Sequence, residues 1–131
     1  MLELSYMKLC ITTIGPNLDS EIDPRFGRCA YFLLIDEKEE VTKAIPNTGV
    51  QAMRGAGVSA AQIVANEKVD IVITGNIGPN AYMVLSNSGI KVFPGVFNVT
   101  AKEAFKMYKE GKLKEADGSV GFGPRRRGSG F

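Results

Sequence analysis

Apolar positions fall into five short runs separated by polar or Gly/Pro-containing stretches, and the spacing of each run predicts its element. Met7 to Thr13 (MKLCITT) is a compact apolar run closed by Gly15-Pro16-Asn17, which predicts a strand ending in a turn. Cys29 to Asp36 (CAYFLLID) is aromatic and branched and reads as a buried strand. Glu37 to Glu40 makes a charged turn, and Val41 to Pro46 returns as the second arm of a hairpin. Val69 to Thr74 (VDIVIT) is almost continuously apolar, the mark of a strand covered on both faces, and Ile90 to Phe93 is a short last strand before Pro94-Gly95.

The spacing changes between these strands. Val58 to Glu67 follows the helical period, with Val58, Ala61, Ile63, Val64 and Ala65 available for an inner face. Pro79 suits the first turn of a second helix, and Gly89 suits the position just past its end. Thr100-Ala101-Lys102-Glu103 matches a capping box that opens a third helix, with Ala104, Phe105 and Tyr108 on one side and Gly111 as its stop. Lys109 and Lys112 suit the negative end of its dipole. Asn17 to Arg28 and Asn47 to Gly57 are left as long loops, candidates for function.

The expected order is β-β-β-α-β-α-β-α. Right-handed crossovers make the strands after the hairpin parallel, so the expectation is an α/β fold with a mixed five-stranded sheet, strand 2 antiparallel, and helices on both faces. The loops leaving strands 1, 3, 4 and 5 then share one edge, and they carry Gly15-Pro16, Gly49 to Gly57, Gly75 to Pro79 and Pro94-Gly95. In open α/β sheets that edge holds the ligand crevice.

With 131 residues, 44% of them hydrophobic and 23% charged, the chain is expected to be a single soluble domain. Residues 1–6 read as an N-terminal extension, 7–117 as the domain and 118–131 as a flexible Gly/Arg-rich tail. The longest apolar run, Ala30 to Ile35, is too short to span a bilayer, and no secretory signal is recognisable, so no membrane partner and a cytoplasmic location are expected. The last fourteen residues, Gly118 to Phe131, carry Arg125, Arg126 and Arg127 and no acids, which leaves the rest of the chain nearly neutral. Three charges give only weak, salt-sensitive binding to nucleic acid, which is therefore not an expected partner.

Two cysteines and no histidine exclude a Ser-His-Asp triad, a Cys-His pair, a zincin helix and a Cys₂His₂ finger. The first strand carries no acid, and Asp36 and Asp70 read as turn residues, so no clustered carboxylates for two-metal nuclease chemistry are written here. Cys29, where the long loop enters strand 2, is the candidate metal ligand, because thiolate suits iron–sulfur species; it equally reads as a small buried residue. A single thiolate cannot hold a four-cysteine cluster, so a site bridging two copies or completed by outside thiols would be needed. Cys10, mid-strand, reads as core.

Arg25 and Arg28 flank Phe26-Gly27 and could clamp an anion bidentately, or could pair with Asp19, Glu21 or Asp23. Gly55-Ala56-Gly57-Val58-Ser59-Ala60 fits G-x-G-x-x-A by letter, but a long loop precedes it and Asp70 follows too soon for a dinucleotide site. Glycines at a helix start still expose N–H groups to any anion, and Gly75, Asn76 and Gly78 share that property; tight strand-to-helix packing is the other reading of both segments.

The start KLCIT, Arg25-Phe26-Gly27-Arg28-Cys29 followed by Ala30-Tyr31-Phe32, Gly55-Ala56-Gly57, Gly75-Asn76-Ile77-Gly78-Pro79-Asn80-Ala81 and Gly89-Ile90-Lys91-Val92 together resemble the dinitrogenase iron-molybdenum cofactor biosynthesis family. The resemblance covers roughly residues 7 to 117. It implies a three-layer α/β/α ribonuclease H-like fold and a small stand-alone, non-catalytic carrier or storage protein for an iron–sulfur or iron-molybdenum-type cluster precursor. Cluster-assembly or acceptor proteins are implied partners, and a homo-oligomer is one way to complete the ligand set. Arg25 stands where nitrogenase-associated relatives often carry His, and the tail is Arg-bearing rather than His-rich. The site implied is cofactor binding by Arg25, Phe26, Gly27, Arg28, Gly55, Gly57, Gly75, Asn76 and Gly78, with Cys29 on metal. The alternatives are a small-anion or nucleotide-binding module on the same glycine loops, and a scaffold or RNA-associated protein acting through the tail.

Overall fold

A computed structural model describes residues 7–48 and 55–117. The N-terminal extension, residues 49–54 of the glycine-bearing loop and the Gly/Arg-rich tail lie outside the described residues. Five strands, β1 (Lys8–Thr13), β2 (Tyr31–Asp36), β3 (Val41–Pro46), β4 (Ile71–Ile73) and β5 (Lys91–Phe93), alternate after the hairpin with α1 (Ala56–Asn66), α2 (Pro79–Asn87) and α3 (Ala101–Lys109). They form one sheet in the order β3-β2-β1-β4-β5. β2 pairs antiparallel with both β1 and β3, while β4 runs parallel to β1 and β5.

Alternation along β1 and β2 feeds two cores, because successive side chains leave a strand on opposite faces. On one face Cys10, Phe32, Leu34, Val72 and Val92 meet Ala60, Ala61 and Val64 of α1 and Ala81 and Leu85 of α2. On the other, Leu9, Ile11, Leu33, Ile35, Ile71 and Ile73 meet Ala101, Ala104 and Phe105 of α3. The α/β class, the mixed five-stranded sheet and the three helices are as the hydrophobic pattern indicates.

Element boundaries differ from the expectation where side-chain chemistry intervenes. β2 starts at Tyr31 rather than Cys29, because Phe26–Arg28 forms a 3₁₀ turn and the Ala30 N–H is given to Asp23 Oδ2 (3.3 Å). α1 starts at Ala56, ahead of Val58, because Gly55 takes a left-handed conformation (φ +75°) as its N-cap. The capping box of α3 forms in full: Thr100 Oγ1 accepts from Glu103 N (3.1 Å) and Glu103 Oε1 from Thr100 N (2.8 Å). After α3 the chain crosses the outer edge of β5. There Ala116 N donates to Val92 O (2.8 Å) and Tyr82 Oη to Ala116 O (3.3 Å), with Leu113 packed on the α3 side. Among the described residues, no helix is long and apolar enough to cross a membrane.

Candidate functional site

The chain leaves β1 for the hairpin on one side and returns across α1 to β4 on the other, so the carboxyl ends of β1 and β4 form the switch point where α/β sheets bind ligands. Threonines fill it. Thr12 and Thr74 share an Oγ1···Oγ1 hydrogen bond of 2.8 Å, and Thr12 Oγ1 also donates to Asp23 O (2.9 Å), all buried. The loop after β1 folds back over this point, held by Ile14 N to Glu21 O (3.0 Å) and Asp23 N to Thr12 O (2.9 Å).

Three segments then meet by backbone contact. Asn76 N donates to Pro24 O (2.6 Å) and Phe26 N to Asn76 O (3.0 Å), joining the loop before β2 to the loop after β4. A Cβ on Gly75 would lie 2.7 Å from Pro24 Cα, so this join needs glycine. A Cβ on Gly57 would lie 3.3 Å from Ala81 Cβ, which places the first turns of α1 and α2 side by side. Phe26 is buried at 1% exposure, its ring 6.1 Å from that of Phe32, so it anchors the loop in the core rather than facing a ligand.

Two helix starts contribute backbone donors to this edge. Neither α1 nor α2 has a side-chain cap or an acidic residue in its first turn, in contrast to α3. Among the described residues, no side chain or first-turn carboxylate therefore offsets the positive end of either dipole. Gly55 and Gly78, the two N-cap residues, have open space where a Cβ would stand. Arg25 is exposed and Arg28 half-buried beside them. Among the described residues, Asn76 Oδ1 is buried without a hydrogen-bond partner.

Asp23, the one buried charged residue among those described, lies beneath Arg25. Its Oδ1 accepts from Arg25 N (3.2 Å) and Nε (3.3 Å), and its Oδ2 from Arg25 Nη2 (3.5 Å) and Ala30 N (3.3 Å). Of the three acids that sequence offers Arg25, Asp23 is the partner.

Cys29 sits at 0% exposure in the core on the α1/α2 face. Burial, reinforced by the nearby Asp23 carboxylate, pushes its thiol up to about 12, against a weaker opposing pull from Asn47 and Arg25. Cys10, also fully buried, is held well above its ordinary value by burial and then by Cys29. Both are free thiols, protonated at neutral pH. An ion reaching Cys29 would have to open the loop and displace a proton. Among the described residues no group of three or more His, Cys, Asp or Glu could hold a metal ion.

Arg25, Gly27, Gly55, Gly57, Gly75, Asn76 and Gly78 are thus gathered by three packed segments, with Arg28 in the same turn. Phe26 and Cys29 lie below them. Sequence reasoning passed over Asn47, whose Nδ2 donates to Gly27 O (3.1 Å) and Cys29 O (3.0 Å) and so ties the turn to the end of β3. Nothing in its local sequence marks it beyond its place after a strand.

A family model described as dinitrogenase iron-molybdenum cofactor matches residues 7–111. An uncharacterized protein of Methanocaldococcus jannaschii is 34% identical over 119 residues, covering 88% of this chain and 96% of that protein. The apo form of the orange protein from Desulfovibrio gigas superposes with a TM-score of 0.81 at 33% identity, over 86% of this chain and 95% of that one. The solution structure of a Thermotoga protein proposed to be a NifB protein gives 0.72 at 31% identity, over 83% and 92%. The chain belongs to the dinitrogenase iron-molybdenum cofactor family.

Proposed function

We propose that this protein is a non-catalytic carrier that binds an anionic iron–sulfur or iron-molybdenum-type cluster precursor as cargo at the sheet edge between β1 and β4. The observation that carries the reading is the juxtaposition of two uncapped helix N-termini with Arg25 and Arg28 in one packed unit. Metal–sulfide clusters whose terminal positions are filled by sulfide or small thiolates are net anions, and such a site favours them through N–H donors and guanidinium groups without a covalent bond to the protein. Family membership supports this cargo class. We assign the fold to the ribonuclease H-like α/β/α class on its β3-β2-β1-β4-β5 order and reversed β2. Two free thiols fit a reducing cytoplasm, where assembly and acceptor proteins would exchange the cargo. In this reading Cys29 supports the loop from below.

Anaerobic reconstitution with iron and sulfide tests this. Stoichiometric iron and sulfide are expected on the full chain and on Cys29→Ala, and much less on the Arg25→Gln/Arg28→Gln double variant. No uptake by any form overturns the reading. Because both thiols are buried, the same donors also fit a small phosphate-bearing anion. Pyrophosphate binding without cluster uptake would establish that second reading.

A further inference from the structure

The Asp23 carboxylate is 3% exposed, whereas the Arg25 side chain it holds is 64% exposed. Burying a carboxylate costs several kcal/mol unless donors compensate, and here the donors to this one among the described residues, Arg25 and Ala30, belong to the turn that borders the crevice. Bonds to residues 25 and 30 fasten both ends of that turn. Bonds to Nε and Nη2 fix the plane of the guanidinium. An arginine has five N–H donors, so those of Nη1 and the second on Nη2 point away from Asp23.

From this geometry we propose that Asp23 is the positioning residue of the crevice: it aims the outer fork of Arg25 at the bound anion. The proposal rests on the anion-carrier reading and extends it to ligand choice. Asp23 and Arg25 together are nearly neutral, so the attraction they exert is directional rather than a matter of net charge. The anion selected is one that presents two adjacent acceptor atoms to a planar fork, as a polysulfido or polyoxo metal species does.

The sign of one substitution separates positioning from simple charge. Removing a negative charge beside an anion site should tighten binding if net charge governs it. If Asp23 positions Arg25, Asp23→Asn weakens binding in spite of the added positive charge. Titration of the full chain with tetrathiomolybdate, followed by visible absorbance, is expected to show about tenfold weaker binding for Asp23→Asn, the equivalent of one charge-assisted hydrogen bond. In an Arg25→Gln background, Asp23→Asn should have no further effect. Tighter or unchanged binding by Asp23→Asn overturns the proposal and leaves the carrier reading standing, whereas a wild-type chain that binds neither this probe nor iron and sulfide overturns both. Should Asp23→Asn fail to fold, Arg25→Lys decides: it keeps the charge and loses the fork, so about tenfold weaker binding supports positioning and wild-type affinity refutes it.

Discussion

Gly27 lies directly against the backbone of Gly57: a Cβ built on Gly27 would stand 2.8 Å from both Gly57 N and Gly57 Cα. The turn that carries Arg25 and Arg28 is thereby seated on the first turn of α1. Replacing Gly27 separates the two, because the atoms its Cβ would meet are backbone, which yields little.

Gly27→Ala is therefore expected to cost about 1–3 kcal/mol of stability, the range for forcing atoms into a filled space. Urea unfolding measures it. The same variant should lose cargo affinity as the Arg-bearing turn lifts from α1, and a variant of wild-type stability would mean that the contact relaxes freely.

The uncapped helix ends lead to an opposed pair of effects. Gly78 has φ −80° and ψ 165°, a conformation any residue adopts, and open space for a side chain. Gly78→Asp should cap α2 and raise stability by about 0.5–1 kcal/mol. It should also occupy the N–H groups and repel an anion, lowering cluster uptake by about tenfold. Thr100→Ala, which removes the cap of α3 on the other side of the sheet, should lose about 1 kcal/mol and leave uptake unchanged. Thermal unfolding and iron content, measured together on the two variants, check both halves.

Alkaline pH probes Cys29. Its thiol titrates near 9.0 when unfolded and at about 12 when folded. Below the lower value both states hold the proton and stability is at its full level; between the two only the folded state holds it, so stability falls as pH rises. A fully differential group contributes about 1.4 kcal/mol of loss per pH unit. Cys10 is shifted the same way, so Cys29→Ala should remove roughly half of the thiol-linked loss between pH 9 and 10.5. Denaturation at stepped pH values follows it, and an unchanged alkaline slope would place the Cys29 thiol in contact with solvent.

Burial also governs reactivity. Neither Cys10 nor Cys29 should be labelled by a thiol reagent in the native protein at pH 7.5, and both should react once the chain is unfolded in urea. Mass spectrometry counts the adducts. Rapid native labelling of Cys29 alone would show that the loop over it opens readily.

The strands, the helices and the shared loop edge were legible in the sequence because each rests on local periodicity or on a local signal such as Thr100-Ala101-Lys102-Glu103. The gathering of the RFGR turn, Gly55-Ala56-Gly57 and the Gly75 loop was legible as a common edge. Its cause, backbone seated on backbone at Gly27 and Gly75, was not, since the same glycines could equally have served turns. Cys29 shows the limit most plainly. Its position at a loop-to-strand junction suits a ligand and a core residue alike, and the choice depends on Asn47 and the helix faces that cover it, distant in sequence, and on how the turn brings Asp23 close. Asp23 and Arg25 are only two residues apart, yet the fold alone reveals that the acid is buried and the base exposed.

The family match ends at residue 111, but the sheet does not finish there. Ala116 supplies the N–H that engages Val92 O on the outer side of β5, and its own carbonyl receives Tyr82 Oη from the first turn of α2. A fragment trimmed to the matched span would bare the flank of β5 and loosen α2, whose amino end borders the proposed cargo site. The smallest unit fit for expression and loading trials therefore runs through Asp117.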